Sequence, residues 1–176
     1  KICQRFKSPF AVACTSGTDA LKIALKSLDI GPGDEVISTA YTFMATNTSI
    51  LEIGAKPIFA DIQMDTFNID PISVEQKITS KTKAIMCVHY AGNPADLDEL
   101  REVANKYDLP IIEDSAHAMA SEYKGNPIGS TGDVATFSFQ CVKIVTCGDG
   151  GVITTTNEDR YKKMKKLSWY GIDREE

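Results

Sequence analysis

The chain has 176 residues, of which 43% are hydrophobic and 24% charged, and it carries a formal net charge of -5 at pH 7. This composition is typical of a globular domain long enough to bury one core. The acidic balance excludes the basic surface that nucleic-acid binding requires, and no apolar run approaches the roughly 18 residues that cross a membrane. We therefore expect one domain with neither a nucleic-acid nor a membrane partner.

Short apolar runs rich in Val, Ile and Phe alternate along the chain with stretches of helical period. This alternation predicts strand-helix-strand units and a largely parallel sheet. The predicted strands are 11–14, 35–38, 57–61, 83–89, 110–114, 133–139 and 151–155. Two apolar helix faces are predicted, one formed by Leu21, Ala24, Leu25 and Leu28 and the other by Leu97, Leu100, Ala104 and Tyr107. The lysine-rich residues 162–166 are predicted to form a helix face exposed to solvent.

The five cysteines are odd in number and lack CxxC spacing. Several of them lie inside apolar runs, as buried thiols do. This pattern favours a reducing cytoplasmic location over a disulfide framework, and we expect no metal site.

The first predicted strand runs into Thr15-Ser16-Gly17-Thr18-Asp19-Ala20, where a helix begins. Free backbone N–H groups at a helix start, a glycine that allows close approach and two hydroxyls together form a phosphate cradle. Ser16 followed by Asp19 also matches a capping box, and capping alone would explain the same residues. The segment is neither a Walker A loop nor a GxGxxG fingerprint.

Aromatic and acidic residues follow two later strands. Tyr41-Thr42-Phe43 offers an aromatic face to a flat cofactor, although an aromatic residue at this spacing is more often part of the core. Asp114 ends the fifth strand, at the edge where open α/β sheets place ligand-contacting groups. A carboxylate there can keep a pyridine nitrogen protonated, and His117 can donate to a phenolate oxygen. A helix N-cap and a satisfied interior histidine are the alternatives.

Lys143 follows the sixth strand and precedes a glycine-rich turn. Because its neighbours Val142, Ile144 and Val145 are apolar, we expect the amine to lose hydration, which favours the uncharged nucleophile. Such an amine forms a Schiff base with an aldehyde cofactor. The alternative is a strand lysine whose ammonium reaches water. Ser138, on the preceding strand, can add a hydroxyl to a phosphate site.

Several motifs in fixed order carry a resemblance. They are Ser16-Gly17-Thr18-Asp19-Ala20-Leu21, Gly31-Pro32-Gly33-Asp34-Glu35-Val36, Gly54-Ala55-Lys56-Pro57, Pro94-Ala95-Asp96-Leu97-Asp98, Glu113-Asp114-Ser115-Ala116-His117, and Lys143 followed by Gly148-Asp149-Gly150-Gly151. With these motifs the chain resembles the DegT/DnrJ/EryC1/StrS sugar aminotransferase family, within the fold-type I pyridoxal-phosphate enzymes. The resemblance implies an α/β chain whose residues 1–176 form the cofactor-binding large domain, with three α/β/α layers and a mostly parallel sheet.

The resemblance also implies roles for individual residues. Lys143 matches the lysine that forms the Schiff base with pyridoxal 5'-phosphate, Asp114 the partner of the pyridinium nitrogen, and His117 the residue beside the ring hydroxyl. Phe43 matches the position whose ring packs on the pyridine. The phosphate contacts implied are Ser16, Gly17, Thr18 and Ser138, and the turn from Gly148 to Gly151 shapes the lysine segment.

The activity implied is ping-pong transfer of an amino group from glutamate to a keto-deoxy sugar of a nucleoside diphosphate. The residues around Gln140, Lys143 and Thr146, with the segment 169–175, resemble members that aminate C4 rather than C3. A homodimer with a shared active site is implied as well.

Two alternatives remain beside the aminotransferase. Family dehydratases carry histidine in place of the lysine, so Lys143 counts against that reaction. A non-catalytic binding or regulatory protein that keeps the fold is the other. Family members are longer than this chain, which begins at Lys1, so we expect an N-terminal segment and a C-terminal small domain to be missing.

Overall fold

The protein is described here from a computed structural model that covers residues 1–130 and 132–172. It contains nine strands: β1 Phe10–Cys14, β2 Glu35–Thr39, β3 Lys56–Ala60, β4 Thr82–Val88, β5 Ile111–Asp114, β6 Glu122–Tyr123, β7 Asn126–Pro127, β8 Val134–Ser138 and β9 Gly151–Thr155. Seven of them form one sheet in the order β1-β9-β8-β5-β4-β2-β3, while β6 and β7 make a separate hairpin.

The sheet is mostly parallel. Strands β3, β2, β4, β5 and β8 pair in parallel, whereas β9 is antiparallel to both of its neighbours, β8 and β1. Six of the seven strands therefore point the same way, and their carboxyl ends share one edge. This confirms the predicted α/β class, and each of the seven predicted strands is observed within one residue of its expected bounds.

Among the described residues, six α-helices lie around the sheet: α1 Ile2–Phe6, α2 Gly17–Ser27, α3 Met44–Glu52, α4 Pro71–Gln76, α5 Leu97–Lys106 and α6 Glu158–Leu167. None of the helices in the described part of the chain is long and apolar enough to cross a membrane. The predicted faces correspond to α2, α5 and α6, but Tyr107 lies beyond the end of α5 and is 40% exposed.

Helices α1, α3 and α4 were not predicted from the apolar pattern. The buried face of α3 consists of Thr46, Ser49 and Ile50, so two of its three buried residues are polar. Such a face lacks the apolar period that indicates a helix. The other two helices have five and six residues, which is too short for a periodic signal.

Helices cover both faces of the sheet and create the three predicted layers. On one face, Leu21 and Leu25 of α2, Ile50 of α3 and Met164 of α6 pack against apolar strand residues such as Ile112. On the other face, the apolar residues come from α4, α5 and the opposite side of the strands: Val74, Leu100, Ala104, Ile85 and Ile111. Burial of these side chains is the main stabilising contribution to the fold.

The cysteines only partly follow expectation. All five are free, but Cys87 alone is buried, while Cys3 and Cys14 are half-buried. Cys141 and Cys147 are exposed because the segment after β8 leaves the sheet instead of continuing into the core. The expectation that several thiols are buried is therefore wrong for this segment.

Candidate functional site

A cavity of about 570 Å³ opens at the carboxyl ends of β4, β5 and β8, beside the N-terminus of α2. All eight residues singled out by the sequence line it, although they come from four separate segments of the chain. They are Ser16, Gly17, Thr18, Phe43, Asp114, His117, Ser138 and Lys143. The fold therefore brings the candidate residues into one place, and their chemical roles remain predictions.

The N-terminus of α2 forms one wall of the cavity. The hydroxyl of Ser16 accepts a hydrogen bond of 3.0 Å from the backbone N–H of Asp19, so the predicted cap is present. A Cβ at Gly17 would lie 2.7 Å from Cβ of Ser138 and 3.0 Å from its hydroxyl. Glycine therefore permits the helix start to approach β8 closely. The first N–H groups of a helix lack intrahelical acceptors, and next to a serine hydroxyl they suit an anion such as a phosphate.

Asp114 forms the floor of the cavity. It ends β5, and only 6% of it is exposed. Its Oδ2 accepts a 2.8 Å hydrogen bond from the hydroxyl of Thr46, and its Oδ1 accepts a 3.2 Å bond from the backbone N–H of Ala116. Turns rather than a helix follow Asp114, so the helix-cap alternative is wrong.

Lys143 reaches His117 across the cavity. The two residues come from different segments, and Nζ of Lys143 lies 3.0 Å from Nε2 of His117. An ammonium only donates, so Nε2 accepts while Lys143 is charged, and the ring proton then resides on Nδ1. Partial burial of the imidazole, followed by repulsion from the Lys143 ammonium, lowers the pKa of His117, while Asp114 opposes this shift.

The apolar neighbours of Lys143 do not dehydrate its amine. Val142 is 78% exposed, Ile144 74% and Val145 48%. The segment leaves the sheet at the end of β8, so these side chains face outward and not toward the core. Our expectation that they strip water from Lys143 is wrong. The lysine itself is half-buried in the cavity.

A glycine-rich turn closes the lysine segment. Gly148 and Gly150 have φ values of 90° and 156°, which side chains rarely tolerate. A Cβ at Gly151 would lie 2.2 Å from the carbonyl oxygen of Ser16, so this glycine lets β9 pass against the start of α2. These positions are consistent with the predicted shaping role of the turn.

Phe43 stands at the mouth of the cavity. It immediately precedes α3 and is 70% exposed, so one face of its ring is free to cover a flat ligand. It does not belong to the core, which was the alternative for the aromatic residues of this segment. Tyr41 instead packs against Phe67 and Tyr90, with ring centroids 5.5 and 4.8 Å away.

The sequence reasoning missed several polar residues of the site. His89 lines the cavity and is fully buried; its Nδ1 accepts a 3.0 Å bond from the N–H of Ala95. Its Nε2 therefore carries the proton and donates to Oε2 of Glu113 at 3.0 Å. The available signal was a histidine directly after β4, at the same sheet edge as Asp114. Thr42 and Thr46 were also not assigned a role.

The residues that favoured C4 amination are only partly placed. Gln140 lines the cavity beside Lys143, whereas Thr146 donates its hydroxyl to the carbonyl of Phe139 at 2.9 Å and does not line the cavity. Residues 173–175 lie outside the described residues. Among residues 1–130 and 132–172, no group of three or more His, Cys, Asp or Glu side chains is arranged to hold a metal ion.

Comparison with known proteins gives a consistent match. The model of the DegT/DnrJ/EryC1/StrS aminotransferase family matches residues 1–176. A curated but uncharacterised protein of Methanocaldococcus jannaschii is 48% identical over 168 residues, which is 96% of this chain and 44% of that protein.

Two solved structures share the fold and most of the chain. A Streptococcus pneumoniae protein described as a sugar aminotransferase, in its pyridoxal-phosphate form, is 39% identical with a TM-score of 0.91; the match covers 97% of this chain and 49% of that one. DesI, determined with its TDP-sugar product, is 35% identical with a TM-score of 0.93, over 99% of this chain and 44% of DesI. The chain thus spans somewhat under half the length of these relatives.

Proposed function

Because the chain belongs to the DegT/DnrJ/EryC1/StrS aminotransferase family, we propose that the protein containing it is a pyridoxal-phosphate-dependent sugar aminotransferase. Residues 1–176 are its cofactor-binding large domain. The observation that carries this proposal is the meeting of Lys143, His117, Asp114 and the start of α2 around one cavity. An amine, a buried carboxylate and an anion site are the groups that this cofactor needs.

The residues present fit the cofactor. Gly17 lets the start of α2 lie against Ser138, since a Cβ there would be 2.7 Å from Cβ of Ser138, and the backbone N–H groups of this helix start, with Ser16 and Thr18, would form the cradle that holds the phosphate. Asp114 would face the ring nitrogen, and Phe43 would cover the ring. When bound, the cofactor supplies an aldehyde that condenses with amines and a ring that withdraws electrons.

The residues of the chain then have distinct tasks. Lys143 would hold the cofactor through Nζ, and the same amine would take and return the proton at Cα of the amino donor. His117, 3.0 Å from that nitrogen, would orient it and would contact the ring hydroxyl of the cofactor. The carboxylate of Asp114 holds a proton on the ring nitrogen, which makes proton removal by Lys143 easier.

The substrates we propose are glutamate as amino donor and a keto-deoxy sugar on a nucleoside diphosphate as acceptor, aminated at C4. Support comes from the TDP-sugar product bound to DesI and from the S. pneumoniae protein that is described as a sugar aminotransferase. The choice of C4 rests on the resemblance around Gln140. We further propose a homodimer with a shared active site, located in the cytoplasm, as the free cysteines favour.

A lysine at position 143 favours amino transfer over the two alternatives. A dehydratase of this family would carry histidine there, and a non-catalytic protein has no need for an amine within 3.0 Å of a histidine in the cofactor cavity. Exchange of the amino group between glutamate and the cofactor separates the three, because the aminotransferase alone requires it.

The test is a visible absorption spectrum of the full-length protein with pyridoxal phosphate, before and after glutamate, followed by borohydride reduction and peptide mapping. We expect a visible band that glutamate bleaches and a reduced adduct on Lys143. Lys77→Ala, which removes an exposed lysine at the end of α4, is the matched control and should keep the band. A full-length protein that forms no adduct at Lys143 overturns the proposal.

A further inference from the structure

The carboxylate of Asp114 has one donor for each oxygen. Oδ1 accepts a hydrogen bond from the backbone N–H of Ala116 at 3.2 Å, and Oδ2 accepts one from the hydroxyl of Thr46 at 2.8 Å. The first donor belongs to the backbone and exists for any side chain at that position. The second depends on one hydroxyl, from a residue 68 positions earlier in the chain.

The hydroxyl of Thr46 is itself bonded to Thr42, with 2.8 Å between the two oxygens. A threonine hydroxyl has a single proton, and an ionised carboxylate only accepts. The proton of Thr46 is therefore directed at Asp114, and Thr42 must donate to Thr46. The chain of donors has a fixed direction, from Thr42 at the cavity wall through Thr46 to Asp114 on the floor.

The fold holds this hydroxyl in place. Thr46 is fully buried in the first turn of α3, and Asn47 beside it ties α3 to β2 through a 2.9 Å bond from its amide to the carbonyl of Thr39. Water cannot take over the donor role at a fully buried position without a cavity being opened. A buried carboxylate oxygen that loses its donor is destabilised, because its desolvation is no longer compensated.

We infer that Thr46 is a positioning residue for Asp114: its hydroxyl fixes the plane of the carboxylate so that an oxygen lone pair faces the ring nitrogen of the bound cofactor. This inference rests on the proposed function. Without that hydroxyl, the carboxylate can rotate about its bond to Cβ, and the contact with the ring nitrogen weakens. The ring would then withdraw electrons less strongly, and Nζ of Lys143, when it holds the cofactor, would become more basic.

The test uses the full-length protein loaded with pyridoxal phosphate and three variants. Thr46→Val keeps the shape and removes the hydroxyl, Thr46→Ser keeps the hydroxyl, and Thr46→Ala removes both the hydroxyl and the methyl. The readouts are the pH midpoint of the visible band of the cofactor joined to Lys143, and kcat and KM for glutamate.

For Thr46→Val we expect the midpoint to rise by about one pH unit and kcat to fall about tenfold, with KM within about twofold, the size expected for one hydrogen bond to a charged group. Thr46→Ser should match the wild type in both readouts. If Thr46→Val does not fold, Thr46→Ala is compared with Thr46→Ser. Both of these variants lack the methyl group, so they differ only in the hydroxyl.

Two results overturn the inference. One is a hydroxyl-free variant with wild-type midpoint and kcat. The other is a Thr46→Ser variant as impaired as Thr46→Val, which would assign the effect to packing by the methyl group. A wild-type protein that forms no band at Lys143 is a separate outcome, because it rejects the proposed function itself.

Discussion

Asp114 and Lys143 are held in the cavity in different ways. Asp114 belongs to β5, which pairs with β4 on one side and β8 on the other, and it is 6% exposed. Lys143 belongs to the loop between β8 and β9, where Val142 is 78% exposed. Two hydrogen bonds close this loop. The backbone N–H of Cys147 and the hydroxyl of Thr146 both donate to the carbonyl of Phe139, at 3.1 and 2.9 Å.

Because Lys143 and Asp114 are held differently, substitutions at the two positions should differ in their effect on the stability of the fold. A change in the lysine loop breaks few packed contacts, so it should alter chemistry and leave the fold intact. A change at Asp114 removes the acceptor of a buried hydrogen-bond chain as well as a functional group. Substitutions at these two positions should therefore differ in their ratio of lost activity to lost stability.

Removal of the lysine should have the largest effect on activity and a negligible effect on stability. In the full-length protein, we expect Lys143→Ala to reduce amino transfer by about four orders of magnitude or more, because the proposed mechanism uses this one amine as both nucleophile and base. The free energy of unfolding, measured with urea, should change by less than about 0.5 kcal/mol. The exposed Lys77→Ala serves as control in both assays. Full activity in Lys143→Ala would contradict the assignment.

Asp114→Asn should cost activity and stability together. The asparagine amide has one acceptor oxygen and a donor NH₂ in place of two acceptors, so either Thr46 or Ala116 meets a donor. We expect roughly a 10²- to 10³-fold loss of amino transfer and about 1 to 2 kcal/mol of lost stability. Asp65→Asn, at an exposed position, should change neither. An Asp114→Asn protein as stable as the wild type would show that the buried chain does not contribute to the fold.

The sequence predicts the surroundings of Asp114 better than those of Lys143. Asp114 ends a strand, and strands were predicted within one residue, so its place at the carboxyl edge of the sheet follows from the apolar pattern. The same pattern predicts apolar neighbours of Lys143 inside the protein, whereas Val142 and Ile144 are exposed. Apolar character alone does not distinguish a buried strand from a loop at a cavity mouth.

The hydrogen-bond partners of the site could not be predicted in the same way. The bond from Thr46 to Asp114 and the bond from His89 to Glu113 join residues that are 68 and 24 positions apart. Such pairs depend on strand order, which alternating strands and helices leave open. No helical spacing indicates the bond between Thr42 and Thr46 either, because Thr42 precedes Phe43, the N-cap of α3, and so lies outside the helix.

Gly17→Ala tests whether the cradle at the start of α2 holds the phosphate. The added Cβ would meet Ser138 at 2.7 Å and push the helix start away from β8. We expect pyridoxal phosphate to bind about tenfold more weakly in an equilibrium fluorescence titration. The fold should be retained, because alanine is the better helix former by about 1 kcal/mol. Gly31→Ala, where a Cβ meets nothing within 4 Å, is the matched control. Equal affinities of both variants would place the phosphate elsewhere.

The pH dependence of stability should reveal the smallest effect, at His117. Burial and the Lys143 ammonium lower its pKa in the folded protein, so the unfolded chain binds the proton more readily. At pH values well above the pKa of about 6.5 in the unfolded chain, this difference in pKa does not change the free energy of unfolding. It destabilises the fold as the pH falls from that value through the folded pKa. In His117→Gln, the loss of stability between about pH 7.5 and 5.5 should be smaller than in the wild type.

Lys143→Ala sharpens this last comparison, because it removes the second of the two causes that lower the pKa of His117 and leaves burial, the larger one. In an NMR titration, the imidazole of His117 should therefore titrate below about 6.5 in the wild type and closer to it in Lys143→Ala, without passing it. The shift has this sign because an ammonium 3.0 Å from Nε2 disfavours a second positive charge. A titration unchanged by Lys143→Ala would mean that the lysine amine stays away from His117 in solution, and the loop would then need to move before the two residues act together.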